Sequence, residues 1–273
     1  MKRILFTIFL IGSFSCFAQN TLSWSASLGG SFPLANFSSM SFDRNTLVSN
    51  CGLFDENATC GAASTGFNVG VEAFLPMQKE NLQFTFSADL HFNGLNSEAK
   101  KFMNILSYYL DETLKEQAQR NGATSIASSC ALKRKSAYIN VPIMAGMRYT
   151  KPLESGMDFF VEGGVGVNLR FIQPMLFIEK MNYFQGGHYY EFNISEKYRY
   201  SAKGTVAFRL GAGLRFTENL SLSAYYYYLG KGDVSSTIIA KDLDDRSAQP
   251  TEGNVQLGYV NPMLAVVKLG YSF

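Results

Sequence analysis

Residues 263–273 alternate in sidedness. The odd positions Met263, Ala265, Val267, Leu269, Tyr271 and Phe273 are apolar, while Lys268, Gly270 and Ser272 between them are polar or small. A period of two is the signature of a β-strand. The apolar stripe runs to the carboxylate itself. A terminus of that kind frays in water, whereas a strand that closes a barrel in lipid removes an edge of unpaired backbone groups. The same period recurs upstream, most regularly over 82–93. There Leu82, Phe84, Phe86, Ala88, Leu90 and Phe92 oppose Gln83, Thr85, Ser87, Asp89, His91 and Asn93. Segments 21–30, 65–75, 136–149, 158–170, 201–216 and 220–229 complete eight predicted strands. Pro142 interrupts the fourth; it lacks a ladder donor, so a local irregularity is expected there.

Between the third and fourth strands the period changes. Ala99, Phe102, Met103, Leu106, Tyr109, Leu110 and Leu114 recur at three and four, which predicts an amphipathic helix over 97–120. Asn96 or Ser97 can cap its start and Asn121-Gly122 its end. The other connections alternate in length. Those after the second, fourth and sixth strands are short. Those after the first (31–64), third, fifth (171–200) and seventh (231–254) are long and read as loops, the fifth rich in aromatics. Short turns on one rim and long loops on the other, with an even strand number, describe an outer-membrane barrel. The predicted fold is all-β: an eight-stranded antiparallel up-and-down transmembrane β-barrel with long external loops, one holding the helix. A soluble lipocalin-like barrel would turn its apolar face inward and lacks four long loops on one rim. Two sandwich domains would need a linker, and none is seen.

The N-terminus fits export. Lys2 and Arg3 precede an apolar stretch over 4–14, and Cys16-Phe17-Ala18 is a small-x-small cleavage site. A signal peptide over 1–18 and a barrel domain over 19–273 follow. The alternative is a lipoprotein acylated at Cys16, which Ser15 fits and Ser13 does not. Losing Lys2 and Arg3 from 24 basic residues balances the 22 acidic ones, so charge makes no case for nucleic acid. Downstream of residue 18 there is no apolar run long enough for a transmembrane helix. The 23 Phe, 15 Tyr and 24 Gly suit aromatic girdles and close strand packing. Export permits a disulfide, and Cys51 and Cys60, in one polar segment, are the expected pair, with Cys130 left over. No cysteine or histidine spacing matches a zinc site, and no cofactor is expected.

Two stretches carry a resemblance. The end of the chain, with Leu269, Tyr271 and Phe273, resembles the C-terminal signal by which outer-membrane barrels are recognised for assembly; Lys268 departs from it where Gly is preferred. Tyr138-Ile139-Asn140-Val141-Pro142-Ile143 resembles a recurring strand of the Bacteroidota outer-membrane β-barrel family, to which PorT-like proteins belong. Gln19 after the cleavage site is similar to exported proteins of that phylum. The resemblance spans roughly residues 65–273 and is weaker in the loops. It implies an outer-membrane location, with the barrel assembly machinery and outer-membrane lipid as partners.

If the apolar faces meet lipid, the opposite faces line the lumen. That places Glu72, Asp89, Arg148, Glu162, Arg170, Arg209, Arg215 and Lys268 inside. An eight-stranded barrel is just wide enough for side chains to fill, and buried charges must pair. The expected site is a lumen charge network of Glu72, Asp89, Glu162, Arg148, Arg209 and Arg215, read as a salt-bridge plug in preference to a selective pore. Ser87, Asp89 and His91 share a face, but residues two apart on a strand are about 7 Å apart, beyond direct hydrogen bonding unless they lean together. No motif of the lipid A palmitoyltransferase or deacylase barrels is present. The expected function is a non-enzymatic structural or surface-interaction role, with a protein partner at the external loops. A narrow channel or transport or secretion accessory is the alternative, and a lipid-modifying enzyme the second.

Overall fold

A computed structural model describes residues 22–39 and 61–273, apart from positions 80, 155, 246 and 248. The expected signal peptide, Cys51 and Cys60 lie outside these residues. Thirteen strands and one long helix are seen among the described residues: β1 (Ser23–Pro33), β2 (Ala63–Pro76), β3 (Leu82–Leu95), α1 (Ser97–Arg120), β4 (Thr124–Arg134), β5 (Ala137–Pro152), β6 (Asp158–Ile172), β7 (Met175–Gln185), β8 (His188–Tyr200), β9 (Lys203–Arg215), β10 (Leu220–Tyr228), β11 (Gly232–Asp242), β12 (Thr251–Val260) and β13 (Met263–Ser272). Eight of them close a barrel in the order β1-β13-β10-β9-β6-β5-β3-β2. All its pairings are antiparallel and join strands adjacent along the barrel path, so the topology is up-and-down. Closure reaches the last residue, where the Phe273 N–H donates to the Trp24 carbonyl at 2.9 Å.

The alternating pattern sets the sidedness. Leu28, Val206, Leu210 and Phe273 are exposed on the outside, at 63%, 61%, 66% and 72%, whereas the alternate positions Asn68, Asp89, Glu162 and Arg209 are buried inside. This is the inverse of a soluble barrel and requires an apolar surrounding. Pro142 is accommodated without a bulge. The β3–β5 ladder lapses opposite Asp89 and Leu90 but keeps one register on either side, as a missing N–H alone would produce.

Two expectations about connections are corrected. Segment 171–200 is a hairpin, β7–β8, and segment 231–254 lies largely in a second hairpin, β11–β12. With β4 they form a five-stranded sheet ordered β12-β11-β8-β7-β4. Each of its strands continues a barrel strand after a few residues, so the sheet is a one-sided upward extension of the barrel wall. Gly186 and Gly187 turn the first hairpin with φ of 59° and 84°, the left-handed pair of a two-residue loop. Its period of two is masked because Leu176 and Ile178 put apolar residues on the solvent row, while Glu179 puts a carboxylate on the buried one. In the second hairpin the ladder shifts between Val234 and Ser235, beside Gly258 at φ 131°. The helix stands as expected over Ser97–Arg120, with Asn96 Oδ1 accepting from Ala99 N at 2.9 Å. Its C-terminal part packs Leu114 and Ala118 against Met181, Ile126, Tyr183 and Phe192 on the sheet's inner face.

Candidate lumen site

Three layers fill the barrel from the short-turn end upward. The first is a cavity of about 120 Å³ whose wall is set with hydroxyls from Ser23, Ser25, Ser27, Ser221, Ser223 and Ser272. Small side chains on β1, β10 and β13 leave this space because their inward positions are serines.

The second layer is ionic. Arg148 Nη2 donates to Glu162 Oε2 at 2.6 Å and to Glu72 Oε2 at 2.8 Å. Its guanidinium is clamped between the rings of Phe74 and Phe160, 4.2 Å from each centroid, a geometry that adds cation–π attraction. Arg209 reaches both Glu72 and Glu162 through Nη2 and donates from Nη1 to Ser87 Oγ at 2.7 Å. Lys268 Nζ donates to Asp89 Oδ1 at 2.5 Å and to the Tyr227 hydroxyl at 2.8 Å. That hydroxyl donates in turn to Asp89 Oδ2 at 2.8 Å, and Tyr225 donates to Glu162 at 3.1 Å. Three carboxylates thus face three cations, all buried or nearly so. Removing both signs of charge from water together is what makes burial tolerable. Gly70 belongs to the design: a Cβ there would run into Asp89 Oδ1.

The structure brings Glu72, Asp89, Glu162, Arg148 and Arg209 together and leaves Arg215 out. Arg215 pairs with Asp158 at the short-turn rim, Nε to Oδ2 at 2.8 Å, with 44% of its side chain exposed. It stands at the short-turn end of β9, where the barrel opens to solvent. Lys268 takes the third cationic place. Its inward parity on β13 was legible; that its amine reaches across to Asp89 was not. Tyr225 and Tyr227 were also missed inside the run Tyr225–Tyr228, where alternation buries both while Tyr226 faces outward. The trio Ser87, Asp89 and His91 is not assembled. Ser87 serves Arg209, Asp89 serves Lys268 and Tyr227, and His91 Nδ1 contacts Asn68 Nδ2 at 3.3 Å. Nothing on β3 couples the serine to the imidazole.

The third layer is amide and then apolar. Asn68, Asn93, Asn140 and Asn168 are fully buried, with Asn168 Nδ2 donating to Asn140 Oδ1 at 3.1 Å. Above them Phe37, Tyr138, Leu229, Leu264 and Val266 close the mouth, and the Tyr138 hydroxyl donates to the Gly61 carbonyl at 2.6 Å. Arg170, also inward, lies at the junction with the upper sheet. It donates to the Asp233 and Val260 carbonyls at 2.7 and 3.3 Å, so it fastens the base of the β11–β12 hairpin rather than joining the ionic layer.

Outside the barrel, Glu179 is buried on the inner face of the upper sheet. Burial, then the nearby Glu196, raises its carboxyl from 4.5 to about 7. Its neighbour Cys130, with Sγ 3.9 Å from Oε1, is a free thiol pushed up to about 12 by burial and then by Glu179. His188 sits exposed beside the Gly186-Gly187 turn. Among the described residues no group of three His, Cys, Asp or Glu could hold a metal ion. At the end of the chain, Leu269, Tyr271 and Phe273 project from the outer face of β13.

No curated protein matches the chain. Among solved structures it is similar to neisserial surface protein A (10% identity, 92% of this chain and 95% of that one, TM-score 0.36). It is similar also to Ail, the attachment invasion locus protein of Yersinia pestis (11%, 93% and 99%, TM-score 0.37), and to OprG of Pseudomonas aeruginosa (10%, 94% and 98%, TM-score 0.40). A closed eight-stranded barrel with an apolar outer face is the architecture of bacterial outer membranes, and over residues 17–230 the sequence matches the model of the outer membrane protein beta-barrel domain. The chain belongs to that family and resides in the outer membrane.

Proposed function

We propose that this barrel is a closed anchor whose working part is the sheet and helix it raises above the membrane, in a non-enzymatic, surface-interaction role. The observation that carries this reading is the lumen. Three ion-paired cations and carboxylates, an amide layer and an apolar cap are stacked across its bore, leaving the outer elaboration as the part free to meet a partner. The tip of the β7–β8 hairpin supports it, since Phe184 and Tyr189 are exposed there at 42% and 62%, and exposed aromatics are the residues protein interfaces favour. Planar-bilayer recording tests the reading. The expected outcome is no steady conductance at moderate voltage. Discrete, ion-dependent openings would replace it with the narrow channel or secretion-accessory reading, which the serine-walled cavity at the short-turn end favours.

A further inference from the structure

Because the upper sheet prolongs the barrel wall, its two faces have different surroundings. Met175, Phe177, Tyr200 and Val234 on the inner face belong to the buried core. The alternate residues project from the other face, which continues the lipid-facing side of the barrel. Register aligns three cations there. Arg134 is opposite Leu176 and Leu176 is opposite Lys197, so the two basic side chains stand two strands, about 10 Å, apart. Arg199 follows Lys197 on the same face at about 7 Å. Lys133 and Lys135 flank Arg134, and all three are exposed. None of these five makes an ion pair among the described residues. Glu252 stands at the far end of the row, opposite Ile239 on the edge strand β12, two strands beyond Lys197.

The height of the row is set by the same ladders. Leu169 and Phe171 are the last lipid-exposed residues of β6, and Ile139 is the partner of Phe171 on β5. Lys135 precedes Ile139 by four residues. Lys203 is the partner of Arg170, which puts Arg199 four residues, about 13 Å along a tilted strand, above that apolar limit. Long basic side chains bend back toward such a boundary while keeping their charge in the polar layer. The basic residues therefore lie on or beside β4 and β8, four to six residues above that apolar limit, within reach of outer-leaflet head groups.

We propose that Arg134, Lys135, Lys197 and Arg199 bind the phosphate groups of a phosphorylated glycolipid of the outer leaflet. Guanidinium groups match phosphate oxygens in pairs and lysines add point charge. Continuity with the apolar band selects a membrane lipid over a soluble anion, since its acyl chains lie along Phe171 and Ile139 while its phosphates meet the cations. The inference stands on the outer-membrane location and is independent of whether the lumen conducts.

Native mass spectrometry of the folded protein in neutral detergent tests it, with three probes: diphosphorylated lipid A, the same lipid enzymatically stripped of phosphate, and inorganic phosphate. The parent should bind the phosphorylated lipid at least about tenfold better than the stripped one. Each Arg→Gln or Lys→Gln change should weaken binding about fivefold, as expected for basic residues at an anionic surface. Lys180→Gln and Lys241→Gln, on the same sheet farther from the membrane, should leave it unchanged. Heat-modifiable gel migration reports that every variant is folded. Equal binding of the two lipids, undiminished binding by the folded R134Q/K135Q/K197Q/R199Q variant, or full displacement by equimolar inorganic phosphate would each overturn the proposal.

Discussion

The residue that the lumen most depends on is Arg209. Its side chain spans from β9 to carboxylates on β2 and β6 and is 1% exposed. Arg209→Met would leave Glu72 and Glu162 sharing Arg148 alone, and Asp89 sharing Lys268. A buried ionic set that loses one partner is destabilised by about 3–5 kcal/mol. Urea unfolding in detergent micelles, followed by gel migration, should show that loss. Adding Glu162→Gln alone should recover much of it, since that leaves Arg148 paired with Glu72 and Lys268 with Asp89. An Arg209→Met protein of parental stability would mean the ion pairs are solvated in the membrane. The members of this set were legible because parity on a strand is strict: Glu72, Asp89, Arg148, Glu162 and Arg209 all fall on lumen rows. Which of them meet was not, because pairing across a barrel depends on shear and side-chain reach. Arg215 has the right parity and the wrong height, whereas Lys268, whose inward parity was legible, reaches across the lumen to Asp89.

At the scale of elements, the interesting contact is α1 upon the upper sheet. Cys130 and Glu179 face each other across the β4–β7 pair, with Glu196 on β8 and Asp111 on α1 close by; Asp111 is itself paired with Lys115 at 2.8 Å. A carboxyl whose folded value is raised to about 7 from 4.5 favours the packed state when protonated. Its contribution is complete below pH 4.5 and is lost as pH rises through about 7. Hydrogen exchange in β4 and the end of α1 should therefore be faster at pH 8 than at pH 5, after correction for intrinsic rates. Glu179→Gln should flatten the difference. A pH response of the same size in that variant would assign it to another group. These outer elements were the least legible part of the chain. The helix declared itself by spacing and a capping asparagine. The hairpins did not, because β7, β8, β11 and β12 stand in water on one side and over a partly polar interior on the other, so neither row is uniformly apolar. Barrel strands face lipid, which tolerates no such mixture, and their alternation is correspondingly clean.

For the whole molecule, closure is the critical event. β13 must be recognised before it pairs with β1, and Phe273 is its outermost aromatic residue. Phe273→Ala removes about 2 kcal/mol of apolar contact, which a closed barrel can survive. The expected result is less heat-modifiable protein in the outer membrane, with the folded fraction as protease-resistant as the parent. Deleting residues 271–273 should be more severe. Parental levels of the deletion protein would remove Tyr271 and Phe273 from any role in assembly. Orientation has its own test. Protease added to intact cells should cut within 31–64 or 231–254 and spare the turns at 77–81 and 216–219; cleavage at those turns would invert the molecule.

A bare barrel looks much the same to its neighbours from every side. This one does not, because among the described residues only the run of strands from β5 through β6, β9 and β10 to β13 carries the raised wall. The molecule has a front and a back within the plane of the membrane. Spinning about the membrane normal, a motion without consequence for a symmetric cylinder, changes what it presents to whatever lies beside it. Crowding that arrests this rotation would fix which way the high side points, and with it the direction from which the outer sheet can be approached.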